Sequence, residues 1–388
     1  MNFASRLLSA TAAVAALSLV ASGCSQTEEP ASAPSTSQTI EAPETEAFQS
    51  VLDDSRAAAG FPGVIAMVAT PAGTWTGTSG TVGTGRSETP TSSDLTRIGS
   101  LTKTMTATVL LQLVEEGKLS LDETIGTYIP GVPNGDKATL LQLADMTSGI
   151  PSYTASDTVV DKYFADPEYA WSPQELVDAV KPLPADFAPG EGWAYSNTNY
   201  VLLGMVIEQV LDQPIDTVFE ERLFEPLGMS DTSFPGGSTE IGDPHLDGST
   251  DQNQPPGQSV DSTNWNPSFA FTAGAVISTL DDLTKWAHAL FTGEGILDAA
   301  TQQLRRDSII HDIPPMTATV GYGIGIGDRN GWWGHDGDIP GYNSNLSHNY
   351  DLDTTVIVLT NSDNTFKVDG KDQFPAPAVA EGLQTAAS

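Results

Sequence analysis

A single cysteine, Cys24, and five histidines stand among 388 residues. One thiol excludes a disulfide framework and a cysteine-built zinc site, and no H-E-x-x-H occurs to suggest a metal-dependent hydrolase. Positive charge is equally scarce: 16 Lys and Arg face 50 Asp and Glu, a formal net charge of 16 − 50 = −34. Nucleic acids and anionic membrane surfaces need a basic face to displace counterions, so neither is an expected partner. The apolar run from Leu7 to Ala21 is too short to cross a hydrocarbon core comfortably. What remains is a chain with 39% hydrophobic and only 17% charged residues, which suits a globular body. Its length allows two or three average domains, or one large enzyme with an insertion.

The first segment reads as an address. Arg6, the run Leu7–Ala21 and the small residues Ala21-Ser22-Gly23 before Cys24 form the tripartite layout of a secretory signal. The end of that layout resembles a bacterial lipobox, which makes residues 1–23 a lipoprotein-type signal peptide and Cys24 the lipidation site. The expected location is extracytoplasmic, as a lipoprotein of a bacterial cell membrane or, with ordinary cleavage, secreted. Residues 24–45 are rich in Ser, Thr, Glu and Pro and read as a disordered tether, too poor in apolar surface to offset ordering entropy.

Beyond the tether, Val64–Thr70 and Thr74–Thr78 flank Pro71-Ala-Gly73 as a β-hairpin. Leu95–Ile98 is a short strand candidate leading into a helix. Leu101, Met105, Val109 and Leu113 recur at four-residue spacing, which predicts a helix ending near Glu116 with Gly117 as its cap. Helical patches follow at 139–146, 173–180 and 200–211, then a Gly/Pro/Ser-rich loop at 235–262 and an amphipathic helix at 279–291. Strands are expected at 321–326, 331–334, 342–348 and 355–360, the last pair joined by a hairpin at 349–353. Strands at both chain ends with helices between them indicate an α/β body, 46–125 plus 265–380, interrupted by a mostly helical insertion over 126–264.

Three short motifs carry the chemistry. In Ser100-Leu-Thr-Lys103 the serine starts a helix and the lysine lies one turn on, nearly on the same face. A hydroxyl is a weak nucleophile without a base in reach, and a desolvated lysine amine can be that base. Tyr195-Ser-Asn197 offers a phenol to relay a proton and an amide to hold a substrate. His335-Asp-Gly337 places an imidazole and a glycine on a late strand, where a substrate backbone can approach closely. Each motif alone has a plain structural explanation: a helix cap, a turn, a half-buried strand histidine. All three in this order occur by chance only about 0.02 times in such a composition.

Together, S-x-x-K, Y-x-N and H-x-G resemble the pattern of serine hydrolases related to class C β-lactamases, among them the D-alanyl-D-alanine carboxypeptidases. Arg97–Lys103, Leu110–Leu119, Met146–Gly149, Tyr195–Tyr200, Thr272–Ala275 and Gly334–Gly341 also look like family segments, over roughly residues 48 to 365. The resemblance implies a β-lactamase/transpeptidase-like α/β fold, an antiparallel sheet flanked by helices with a helical insertion, and a site needing no metal or organic cofactor. It makes Ser100 the acyl-forming nucleophile, with Lys103 and Tyr195 moving protons. Backbone N–H groups of Ser100 and Asp338 would form the oxyanion hole, Asn197 would orient the acyl portion, and His335 would bind or relay. Gly337 and Asp336 would line the substrate. The competing Ser-His-Asp scheme needs a G-x-S-x-G elbow, and none occurs.

Two departures stand out. Asp336 occupies a place usually held by Thr or Ser, and Gly325 stands where a carboxypeptidase-like sequence would supply an arginine for the substrate carboxylate. Arg329, four residues on, is the nearest substitute in sequence. The leading expectation is a monomeric D-alanyl-D-alanine carboxypeptidase-like hydrolase of cell-wall peptides, open to small peptides, esters and β-lactams. Alternatives are an esterase, a β-lactamase, a D-aminopeptidase-like enzyme, or a non-catalytic ligand-sensing lipoprotein.

Overall fold

The computed structural model describes residues 42–368 and 371–388. The signal, Cys24 and nearly all of the expected tether lie outside the described residues. Among the described residues, no helix is long and apolar enough to cross a membrane.

Gly63–Thr70 (β1) is buried on both faces for six residues, the mark of an internal strand. It forms the expected hairpin with Gly73–Gly80 (β2). The chain returns to the sheet only after residue 319, with Val320–Tyr322 (β3), Gly327–Arg329 (β4), Trp332–Ile339 (β5), Tyr342–Asn349 (β6) and Thr354–Thr360 (β7). The seven strands are antiparallel in the order β2-β1-β7-β6-β5-β4-β3. Pairing of β1 with β7, Val64 opposite Thr360, unites the two chain ends in one sheet.

Alternation along β1 divides two cores. Ile65 and Met67 face the large core shared with the internal helices, whereas Val64, Ala66 and Val68 face a second cluster. That second cluster is covered by Ala42–Ala59 (α1), through Phe48 and Leu52, and by Pro375–Ala386 (here α5, with α2–α4 given below), through Val379 and Leu383. Neither helix was expected. Since α1 begins at Ala42, the tether boundary at residue 45 is four residues too late. Phe48 and Leu52 carry the helical spacing, but within a Ser/Glu/Ala-rich context that only the facing sheet makes decisive.

The central helix Thr102–Glu115 (α2) is buried on nearly every side, not on a single stripe. Its non-stripe positions are threonines whose hydroxyls are satisfied internally: Thr104 donates to Leu101 O at 2.7 Å and Thr108 to Thr104 O at 2.7 Å. Asn197–Leu211 (α3) packs beside it, starting three residues earlier than expected, and Leu280–Thr292 (α4) follows with Thr279 as its N-cap. The strand expected over 321–326 stops at Tyr322. Beyond it the backbone turns to tertiary partners, Ile324 N donating to Ser308 Oγ at 2.9 Å, and Gly325 takes φ of +72°. Conversely, the strand expected to end at Gly334 runs on to Ile339, since β6 pairs along its whole length. Residues 126–264 add no strand to this sheet; their helices include Leu140–Ala144 and Pro173–Val180, and the 235–262 stretch holds only two two-residue strands.

Candidate active site

Thr96–Arg97 pairs antiparallel with Ile277–Ser278, anchoring the chain just before Ser100, which sits in a single 3-10 turn, Gly99–Leu101. Gly99 holds φ of +53°, and a Cβ there would lie 2.6 Å from the backbone N of Asp338. Glycine is required by both facts. The turn thereby rests against β5 at residues 337–338, bringing the backbone of Ser100 beside that of Asp338.

Lys103 is completely buried. Its Nζ lies 2.9 Å from Ser100 Oγ, 2.8 Å from Asn197 Oδ1 and 2.7 Å from Ala273 O. Burial pushes its amine well below the usual lysine range. The contacts suit a neutral amine: two N–H groups reach the amide and carbonyl oxygens, which can only accept, and the lone pair is left for the one partner that can donate, the Ser100 hydroxyl. The Ala273 carbonyl is offered by a 3-10 turn that opens at Phe271, a non-glycine at φ of +41°, a conformation costing about 1–2 kcal/mol.

Tyr195 stacks over the lysine, its ring centroid 4.8 Å from Nζ. Desolvation first, and the nearby acids Asp336 and Asp338 after it, drive its phenol above the ordinary range. The three residues Ser100, Lys103 and Tyr195 are therefore together. Asn197, the first residue of α3, accepts from Lys103 Nζ at Oδ1 and also lines the cleft.

His335 lies beside them with both ring nitrogens engaged. Nδ1–H donates to the Asp336 carbonyl, so Nε2 accepts from the Tyr322 hydroxyl at 2.9 Å. Burial first, and Lys103 second, push this imidazole down to about 3. It is a neutral clamp on Tyr322, with neither proton nor lone pair to spare for a substrate. Gly337 packs against Ile98 O and Ser344 Oγ and has no room for a side chain. Asp336 accepts from Asn345 Nδ2 at 2.7 Å and faces Arg329 at 4.0 Å. Arg329 thus stands beside Asp336. The comparison of Gly325 with a missing arginine does not hold: a Cβ there would meet Ala107 Cβ at 2.4 Å, pointing into α2 and away from the cleft.

Several contributors escaped the sequence reading. Tyr322 and Ala273 O act through tertiary contacts that no spacing announces, although Ala273 falls within the family-like segment Thr272–Ala275. Asp145 is a buried acid outside the motifs: 4% exposed, it accepts at Oδ1 from Thr147 N and Thr147 Oγ1 and is pushed up to about 6 by burial. Because that value is raised above the unfolded value near 3.9, the ionised form weakens the fold. The penalty is absent in acid, grows between about pH 4 and 6, and reaches about 3 kcal/mol above that. Asp145→Asn keeps an acceptor without the charge. Its melting temperature is expected to exceed the wild type's at pH 8, with the gap closing at pH 4, in thermal denaturation.

The cleft opens into a cavity of about 360 Å3 lined by Ser100, Asn197, Asp338 and a group of aromatic residues. The Beta-lactamase family model matches residues 48–379. Among solved structures, a D-stereospecific amidohydrolase from Streptomyces sp. is 34% identical with a TM-score of 0.74, covering 82% of this chain and 94% of that one. The D-amino acid amidase of Ochrobactrum anthropi SV3, complexed with L-phenylalanine amide, is 30% identical with a TM-score of 0.77, covering 89% and 98%. Curated relatives include a protein named as a penicillin-binding protein in Bacillus subtilis, 26% identical over 277 residues, 70% of this chain and 63% of that protein. Another, named as a D-alanyl-D-alanine carboxypeptidase in Escherichia coli, is 31% identical over 150 residues, 37% of this chain and 35% of that protein. The chain thus spans less than two thirds of the length of these curated relatives. A match over nearly the whole described body, on a seven-stranded antiparallel sheet, places the chain in the beta-lactamase family of hydrolases.

Proposed function

We propose that the protein is a serine acyl-hydrolase of small D-amino-acid amides and esters. The carrying observation is the fully buried Lys103, with its Nζ 2.9 Å from Ser100 Oγ and its other contacts made to the oxygens of Asn197 and Ala273. Lys103 takes the Ser100 proton as Oγ attacks the substrate carbonyl, and the oxyanion is held by the backbone N–H groups of Ser100 and Asp338. The proton passes through Lys103 and Tyr195 to the leaving amine or alcohol as the C–N or C–O bond breaks. Water, deprotonated by the same pair, then attacks the acyl-enzyme and regenerates Ser100. A matched nucleophile and base speak against the ligand-sensing alternative, which needs neither.

The carboxypeptidase reading has its own support in the names of the curated relatives and in Arg329, a cation beside Asp336. Against it, that cation is already opposed by Asp336. A substrate carboxylate a few ångströms from such a group meets repulsion of about 1–4 kcal/mol, or roughly ten- to a thousandfold in affinity. The test compares kcat/KM for a D-Ala-D-Ala peptide and its C-terminal amide. Preference for the amide by tenfold or more is expected, and Asp336→Thr should narrow it. Strong preference for the free acid would transfer the role to Arg329 and make the enzyme a carboxypeptidase.

A further inference from the structure

The short helix Leu140–Ala144 ends in a left-handed turn. Thr147 N donates to Gln142 O at 2.9 Å and Met146 N to Leu143 O at 3.3 Å, the paired bonds of a Schellman cap. Glycine suits the left-handed position of such a cap, but here it is held by Met146, fully buried at φ of +68°. A side chain kept where the backbone favours none calls for a compensating contact, and the thioether makes one. Met146 Sδ accepts from Ser196 N at 3.4 Å and from Asn199 Nδ2 at 3.5 Å. Met146 O accepts from Ala194 N at 3.2 Å. One residue therefore holds the backbone on both sides of Tyr195. Ser148 Oγ adds to the grip by donating to Asn199 Oδ1 at 2.8 Å, and Ser152 Oγ by accepting from Asn197 N at 3.2 Å. Other support is thin. Ser196, the N-cap of α3, makes no side-chain cap bond, and its buried Oγ has no partner among the described residues. Tyr195 is 39% exposed, so side-chain packing alone does not fix it.

Resting on the hydrolase reading above, we propose that Met146 is a positioning residue for catalysis, its thioether and carbonyl setting the Ala194–Ser196 backbone so that Tyr195 stays over Lys103. Sulfur is a weak acceptor, yet among the described residues it is the only one that Ser196 N and Asn199 Nδ2 have. Both donors are buried, so without the thioether they must move to find another partner. The segment that moves with Ser196 carries Tyr195. A proton-transferring group displaced by even 1 Å can slow a reaction by about a hundredfold. Met146 does not line the cavity, so substrate binding is untouched and the loss falls on turnover.

The experiment follows p-nitrophenyl acetate turnover, and acetylation of Ser100 by intact mass, in the wild type, Met146→Leu and Met146→Gln. Leucine keeps the volume and the strained backbone but accepts no hydrogen bond, and thermal denaturation checks that each variant is folded at the assay temperature. Met146→Leu is expected to lower kcat by about tenfold to a hundredfold with KM nearly unchanged. Met146→Gln, whose amide oxygen can accept, should recover most of that loss. Each substitution is repeated on Tyr195→Phe, where the slow acetylation of Ser100 gives the rate. If Met146 acts through the Tyr195 hydroxyl, Met146→Leu adds little there. Unchanged kcat in Met146→Leu, an equal further loss on Tyr195→Phe, or a folded Gln variant as slow as the Leu variant overturns the positioning role. Failure of the underlying reading looks different. With no acetylation of Ser100 in the wild type the hydrolase reading falls; with a wild type that is acetylated and a Met146→Leu variant that is fully active, only this inference does.

Discussion

Ser100→Ala and Lys103→Met are each expected to abolish acyl-enzyme formation and to lower kcat by about 10⁴-fold or more, since a nucleophile and its base act as one unit. Their structural costs differ. Ser100 sits half-buried in a turn, and its loss removes little packing, so the melting temperature should hardly move. Lys103→Met leaves Asn197 Oδ1 and Ala273 O without their donor, at about 1–3 kcal/mol for each unsatisfied group, offset in part by removing a buried amine. Intact-protein mass spectrometry after incubation with a p-nitrophenyl ester provides the measurement. An adduct on any serine other than Ser100 would sink the assignment. The pH profile has a defined sign. Acylation needs the neutral amine, so it stays full above the lowered lysine value and falls as pH drops through it. A rate still climbing through the ordinary lysine range near pH 10 would mean that Lys103 is an ammonium at neutral pH.

The second large effect is at Gly337, remote from proton transfer. A methyl there would stand 2.0 Å from Ile98 O and 2.1 Å from Ser344 Oγ. The serine side chain can rotate, but the Ile98 carbonyl belongs to the chain entering the nucleophile's turn. Relief must push β5 away from Gly99–Ser100, separating the two N–H groups assigned to the oxyanion. Gly337→Ala is therefore expected to lower kcat by about 10²–10³-fold and to destabilise the fold by about 1–3 kcal/mol. Steady-state kinetics with thermal denaturation measure both. A destabilised variant with unchanged kcat would place the oxyanion elsewhere.

Much of this architecture is legible in the sequence. The alternating and continuous apolar runs around residues 64–78 and 342–360 mark strands because a sheet has a period of two, and six of the seven sheet strands coincide at least in part with those expectations. The motif residues Ser100, Lys103, Tyr195 and Asn197 were marked by spacing and residue type, and they meet within hydrogen-bonding or ring-contact distance. The helices at the two ends of the described chain went unseen, because α1 has only a sparse apolar face and gains its stability from contact with α5 and the sheet.

Residue identity along the chain was enough to establish the family-like motifs, the acidity of the protein and the local periods of strands and helices, all of which depend on neighbours within a few positions. Only the tertiary structure decided which atoms meet. It set Ala273 O against Lys103, bound both nitrogens of His335, brought Arg329 to Asp336, turned Gly325 into α2, and placed Asp338 in the cavity with a group of aromatic residues. The reason is that a side chain's protonation and reach depend on desolvation and on partners far away in sequence. Ala273 lies 170 positions from Lys103, and no local pattern encodes that distance.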